Sequence, residues 1–116
     1  MSDSKAFDKE GALERVDDDL ELFFELVDMF FSEYEQQLVT LRGAVDSGTA
    51  KELEETAHSI KSALGNIGAM RAFDQAFILE KKGREESLEG ASDELSKLES
   101  YVSEYKTEVE AFRPSE

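Results

Sequence analysis

His58, the only histidine of the 116-residue sequence, lies in a segment whose apolar residues repeat at helical spacing. Alternating steps of four and three place one stripe of this helix in the core, formed by Leu53, Ala57, Ile60, Leu64 and Ile67. The opposite face carries His58, with Lys61 one turn further on. A neutral imidazole is a competent nucleophile near physiological pH. The spacing therefore predicts an outward-facing histidine beside one cation.

Two small residues, Ser62 and Gly65, follow His58 on the same predicted face. Glycine inside a helix costs about 1 kcal/mol relative to alanine, so Gly65 needs an explanation. Close approach of another surface to His58 would supply one, and both residues would then serve partner access. The alternative is that His58 is an ordinary solvated side chain and that Gly65 begins to fray the helix before a stop at Gly68.

The composition limits the kinds of partner that the protein can have. The formal net charge of -15 argues against binding to nucleic acid or to an anionic membrane, because both attract positive charge. No apolar run approaches the roughly 20 residues that a membrane span needs, and the first residues do not resemble a signal peptide. The absence of cysteine suits a reducing cytoplasm. We expect a monomeric, cytoplasmic protein with one domain over residues 1–116 and loose ends at 1–6 and 113–116.

The hydrophobic periodicity predicts helices throughout and no strands. The predicted helices run from the Asp8 cap to Val16, from about 18 to 45, from a Thr49–Glu52 capping box to 66–68, from about 69 to 84, and from a Ser92 cap to Pro114. Short connections and one apolar stripe per helix favour an all-α fold, an antiparallel up-down four-helix bundle with a short accessory N-terminal helix. On the fourth helix, Met70, Phe73, Ala76 and Phe77 are predicted to face inward, with Leu79 or Glu80 at the inner edge.

The second helix carries more large apolar residues than one seam requires. Its predicted seam begins at Leu20, and Phe24 and Phe31 widen the apolar stripe. One interpretation is that the two phenylalanines pack against the short first helix or a neighbouring helix. The other is that one or two of Leu20, Phe24 and Phe31 stay partly exposed near His58 and form a docking patch.

The segment around His58 resembles the signature of histidine-containing phosphotransfer (HPt) domains. The matching run is His58-Ser59-Ile60-Lys61-Ser62-Ala63, followed by Gly68-Ala69. Further matches are Leu79-Glu80 and Gly83-Arg84 downstream, and Ala12-Leu13-Glu14-Arg15-Val16 with Asp19-Leu20 upstream. Many members have glycine where this chain has Ser62, and serine is nearly as small. The resemblance thus extends over nearly the whole chain.

The resemblance implies that Nε2 of His58 accepts a phosphoryl group from an aspartyl phosphate and passes it to another aspartate. The implied partners are response-regulator receiver domains and a hybrid histidine kinase. We expect no resident cofactor and no metal site in this chain, with Mg²⁺ supplied by the receiver domain. The sequence has no glycine-rich phosphate loop, so we predict a phosphocarrier without an ATP site, not an enzyme.

The resemblance also assigns roles to charged neighbours of His58. Lys61 and Arg84 would orient the phosphoryl oxygens, since phosphoryl transfer needs mainly positioning and charge stabilisation. Alternatively, Lys61 pairs in solvent with carboxylates such as Glu54, and Arg84 merely neutralises acidic neighbours. Either Glu80 or Glu54 could accept a hydrogen bond from Nδ1 of His58.

Two other functions are compatible with the same residues. The chain could be a non-catalytic acidic helical module that binds its partner through the region of Phe24 and Phe31, with His58 incidental. It could also be the phosphate-accepting domain of a histidine kinase, phosphorylated directly by a separate kinase domain.

Overall fold

A computed structural model describes residues 4–114. These residues form five α-helices and no strand, which confirms the all-α prediction. The helices are α1 (Lys9–Arg15), α2 (Leu20–Ser47), α3 (Ala50–Asn66), α4 (Met70–Arg84) and α5 (Ala91–Phe112). None of the helices within residues 4–114 is both long and apolar enough to span a membrane.

Aspartate side chains begin the first two helices. Asp8 accepts a hydrogen bond from the backbone N–H of Gly11, and Asp19 accepts one from Leu22 at 3.1 Å. Each bond satisfies an N–H that has no partner within its helix. The predicted cap at Asp8 is therefore confirmed.

Of the two other predicted caps, Thr49 is the N-cap residue of α3 as predicted but makes no capping hydrogen bond, and the cap at Ser92 is wrong. Thr49 precedes α3, but its hydroxyl lies 2.7 Å from Ser47 Oγ and caps no helical N–H. The last helix begins at Ala91, before Ser92, and the residue that precedes it is Gly90. Gly90 has a φ of +76°, a left-handed conformation that glycine adopts without steric cost. The backbone freedom of glycine, not a serine hydroxyl, sets the start of α5.

The four long helices share one core. Contacts connect α2 with α3, α3 with α4, α4 with α5 and α5 with α2, and α1 packs on α2. All five apolar residues predicted for the inner stripe of α3 are buried, as are Leu95, Leu98, Val102, Tyr105 and Val109 of α5. The hydroxyl of Tyr105 donates a 2.7 Å hydrogen bond to the carbonyl oxygen of Ile67, which joins α5 to the end of α3.

Helices α3 and α4 make the most extensive contact in the fold, and their backbones approach closely at Gly83. A Cβ at Gly83 would lie 2.6 Å from the backbone nitrogen of Glu54 and 2.7 Å from the carbonyl oxygen of Ala50. The contact brings the helix that carries His58 close to the helix that carries Glu80.

The buried face of α4 contains the predicted Ala76, Leu79 and Glu80 but differs from the prediction at Met70, Phe73 and Phe77. Its buried residues are Ala72, Gln75, Ala76, Leu79, Glu80 and Gly83. Phe77, predicted to face inward, is 40% exposed. Gly83 contacts α3 through its backbone. The inner face of α4 is therefore centred on the row of residues that ends at Gly83, and Phe77 lies outside that row.

The beginning of the described chain is held against α4. The backbone N–H of Arg71 donates to the carbonyl oxygen of Lys5 at 2.9 Å, and Ser4 donates a hydrogen bond to Asp74. Ala6 is buried. The predicted loose end is therefore wrong for residues 4–6, while residues 1–3 lie outside the described part.

The end of α5 is also attached to its neighbours. Arg113 pairs with Asp28 at 2.7 Å and lies over the ring of Phe24, 4.5 Å from its centroid. The half-buried ring of Phe112 also contacts Phe24. Arg113 is thus fixed, contrary to the predicted loose C-terminal end, and the last two residues lie outside the described range.

Candidate functional site

His58 lies in the middle of α3 with its ring turned outward. Its side chain is 60% exposed, although the neighbouring Ala57 and Ile60 are completely buried. Nδ1 of His58 lies 3.1 Å from Oε2 of Glu80 on α4. Within residues 4–114, no hydrogen bond is made by Nε2. One ring nitrogen therefore contacts the protein, and the other is accessible from solvent.

Glu80 is a buried carboxylate with three charged or polar partners. Only 4% of its side chain is exposed. Oε1 lies 2.7 Å from Nζ of Lys61, and Oε2 lies 2.7 Å from a terminal nitrogen of Arg84. A carboxylate can accept several hydrogen bonds at once, so one residue of α4 contacts both cations and the imidazole. The residue that contacts Nδ1 of His58 is therefore Glu80. The sequence alone left the choice between Glu80 and Glu54 open.

The protonation state of Glu80 fixes the tautomer of His58. Burial raises the pKa of the Glu80 carboxyl, but hydrogen bonds from Lys61 and His58 outweigh it and hold the pKa below its usual value. The ionised carboxylate can only accept hydrogen bonds. Nδ1 of His58 must therefore carry a proton, so that in the neutral ring the lone pair is on Nε2, which faces solvent.

Lys61 is held within the site. Its Nζ pairs with Glu80 and lies 5.0 Å from the centroid of the Phe77 ring and 5.8 Å from that of Phe73. Cations are attracted to the faces of aromatic rings at such distances. The alternative in which Lys61 pairs in solvent with Glu54 is wrong, because the mostly buried side chain turns toward α4.

Arg84 links the two candidate carboxylates. Besides its contact with Glu80, its Nε lies 3.3 Å from Oε2 of Glu54, and about half of its side chain is exposed. Glu54 therefore pairs with Arg84 and does not accept a hydrogen bond from His58. The structure shows Arg84 neutralising acidic neighbours.

The two small residues after His58 have different environments. Ser62 is exposed, as predicted from its face of the helix. Gly65 is buried, because the ring of Phe73 covers it, and a Cβ at Gly65 would lie 3.2 Å from two carbons of that ring. The prediction that Gly65 provides partner access is therefore wrong. Its small size fits the packing of α4 on α3.

The apolar residues proposed as a docking patch do not lie beside His58. Phe24 is buried, Phe31 is half-buried with its ring 6.4 Å from that of Tyr105, and only Leu20 is exposed, at 37%. A helix rises about 1.5 Å per residue. Phe24 therefore lies about 35 Å from the C-terminal end of α2, where α3 begins, whereas His58 lies about 12 Å from the same point. The interpretation that the two phenylalanines pack against a neighbouring helix is the correct one.

The sequence analysis missed one residue of the site. Phe77 is exposed and contacts Lys61, so an aromatic ring forms part of the surface next to the Lys61–Glu80 pair. Its neighbour Ile78 is exposed as well. One pattern in the sequence could have predicted this exposure. Small or apolar residues repeat at helical spacing in α4 at Ala72, Ala76, Leu79 and Gly83, and the inner face that they define excludes position 77.

Fold and site together define a helical protein with an exposed histidine that contacts a buried carboxylate, which in turn pairs with two cations. A family model described as the Hpt domain matches residues 25–113. The crystal structure of histidine-containing phosphotransfer protein B (HptB) from Pseudomonas aeruginosa PAO1 is similar, with a TM-score of 0.78 and 25% sequence identity. The similarity covers 93% of this chain and 97% of that one. Comparison with curated proteins found no match.

The chain therefore belongs to the Hpt domain family. Its function is histidine phosphotransfer in two-component signalling. Members of this family are phosphocarriers that work with receiver domains and kinases in phosphorelays.

Proposed function

We propose that His58 is the phosphoacceptor and relays a phosphoryl group between the aspartates of receiver domains. The observation that carries this proposal is the exposed ring with Nδ1 on Glu80 and Nε2 toward solvent. Nε2 attacks the phosphorus of an aspartyl phosphate, the N–P bond forms, and the P–O bond breaks. Its electron pair stays on the departing carboxylate. The reverse sequence delivers the group to the next aspartate.

Lys61 and Arg84 orient the phosphoryl oxygens in this proposal. Both cations contact Glu80, and Glu80 contacts the imidazole. A phosphoryl group on Nε2 attracts them electrostatically, in competition with Glu80 and Glu54. Lys61 acts as a compact point charge on a flexible stem, whereas Arg84 offers a planar fork of donors. The exposed Ser62 leaves room for the partner's active site over His58.

The remaining assignments concern the whole chain. We infer that α2, α3, α4 and α5 form an antiparallel up-down four-helix bundle with α1 as an accessory helix, and that residues 1–116 act as one domain. The cyclic pattern of helix contacts supports this arrangement. The protein acts as a cytoplasmic monomer, without an ATP site and without nucleic-acid or membrane partners, and Mg²⁺ comes from the receiver. The lack of cysteine and the charge of -15 support these assignments.

Transfer from a phosphorylated receiver domain tests the role of His58. We expect acid-labile phosphate on the wild-type protein and none on His58→Gln. The glutamine variant is expected to keep the fold, because position 58 is exposed, and a melting curve checks this. Equal labelling of both proteins would refute the proposal.

The two other functions predicted from the sequence give different results in the same experiment. Phosphate transfer from a histidine-kinase domain but not from any receiver would favour the kinase-associated domain. Partner binding without phosphate transfer, and unchanged in His58→Gln, would favour the acidic interaction module.

A further inference from the structure

The contact between Glu80 and Nδ1 bears on the phosphorylated state of His58 as well as on the free ring. When Nε2 carries phosphorus and Nδ1 carries a proton, the imidazole ring is positively charged. Loss of the Nδ1 proton makes the ring neutral. These two forms differ as phosphoryl donors, because the first releases a neutral imidazole and the second must release an imidazolate anion. A neutral leaving group departs far more readily.

We propose that Glu80 keeps the proton on Nδ1 of phosphorylated His58 and so holds the phosphohistidine in its transfer-ready form. This inference rests on the proposed role of His58. The carboxylate is 3.1 Å from Nδ1, and its side chain is 4% exposed, so the Glu80 side of the contact is shielded from water although the ring is exposed. An adjacent anion that accepts the Nδ1 hydrogen bond favours the charged ring.

The transfer step then balances without a proton movement. A carboxylate oxygen of the receiver aspartate attacks phosphorus, and the Nε2–P bond breaks. The electron pair of that bond returns to Nε2, and Nδ1 keeps its proton throughout. The ring leaves in the tautomer that the contact with ionised Glu80 favours, with Nδ1–H on Glu80 and a lone pair on Nε2. Glu80 acts here as a positioning residue, since it contacts neither phosphorus nor the receiver.

Other charged groups around His58 act less directly on Nδ1. The positive charges of Lys61 on α3 and Arg84 on α4 disfavour a positive charge on the ring. Both side chains, however, also lie near the position that the dianionic phosphoryl group on Nε2 would occupy. Glu54 is paired with Arg84. From α2, the exposed Glu33 lines a groove that also includes Ser59. Within residues 4–114, Glu80 is the charged group that hydrogen-bonds to the ring.

The experiment is an NMR titration of the protein phosphorylated with phosphoramidate. His58 is the only histidine, so ¹⁵N labelling of histidine gives one pair of ring signals. We expect Nδ1 of the wild-type phosphoprotein to deprotonate at a higher pH than Nδ1 of Nε2-phosphohistidine in a short unstructured peptide. In Glu80→Gln, the midpoint should fall by about one pH unit, a tenfold change in the proton affinity.

A matched control removes the same charge without removing the hydrogen bond. Glu55 is exposed and one turn before His58 on α3, and Glu55→Gln should leave the midpoint near that of the wild type. The rate of phosphoryl transfer to a receiver, measured from pH 6 to pH 9, provides a second readout. It should begin to decline at a lower pH in Glu80→Gln than in the wild type.

Each outcome decides a separate question. Equal midpoints for the wild type, Glu80→Gln and the peptide would overturn the proposal for Glu80, while label on His58 would leave the proposed function intact. Absence of any phosphorus signal on the ring of His58 would instead refute the proposed function. If Glu80→Gln fails to fold, the comparison of the wild type with the peptide decides alone.

Discussion

Replacement of Gly83 by alanine should push helices α3 and α4 apart. The new methyl group would lie 2.6 Å from the Glu54 nitrogen and 2.7 Å from the Ala50 oxygen. Both are backbone atoms, so no side-chain rotation can relieve the contact. Alanine would contribute about 1 kcal/mol of helix propensity. Overpacking of this kind costs about 1 to 3 kcal/mol or more, and rigid backbone neighbours place this site at the upper end.

We therefore expect Gly83→Ala to lower the free energy of unfolding by about 2 kcal/mol. Urea denaturation followed by circular dichroism measures this free energy. An unchanged dependence of the free energy on urea concentration would show that the unfolded state is unaffected. The control is Gly43→Ala in α2, where a Cβ meets nothing within 4 Å. That variant should gain up to about 1 kcal/mol from helix propensity alone. The packing argument fails if Gly83→Ala equals or exceeds the wild type in stability.

Two further predictions concern buried polar groups. Tyr105→Phe leaves the carbonyl oxygen of Ile67 without its hydroxyl donor, so the free energy of unfolding should fall by about 1 to 2 kcal/mol in urea denaturation. An unchanged free energy would mean that water replaces the hydroxyl. Because the pKa of Glu80 is lower in the folded protein than its usual value, its contribution to stability is complete above that usual value and is lost as the pH falls through the lower folded pKa. Melting temperatures of the wild type and Glu80→Gln should therefore converge as the pH falls below about 4; a constant difference down to pH 2 would contradict this.

The sequence predicts those features that depend on periodicity within one helix. The inner stripes of α3 and α5 and the exposure of His58 follow from steps of three and four, and the structure has them as predicted. The cap at Asp8 is equally local. Such features need no knowledge of the neighbouring helices.

The incorrect predictions depend on contacts between helices. Gly65 lies on the same face as His58 by periodicity, but the ring of Phe73 from α4 covers it. Glu54 and Glu80 are both plausible neighbours of His58, and only the rotation of α4 about its axis selects Glu80. Phe77 is exposed for the same reason, because the contact at Gly83 fixes that rotation.

The unequal surroundings of the two nitrogens of His58 would determine which nitrogen is phosphorylated if His58 is the phosphoacceptor proposed above. One edge of the ring is occupied by the Glu80 carboxylate, so an electrophile can approach only the other edge. Phosphohistidine exists as two positional isomers, which differ in chemical lifetime and are distinguished by isomer-specific antibodies. Phosphorylation of the folded protein should produce one isomer alone, whereas the unfolded chain offers both nitrogens to the same reagent.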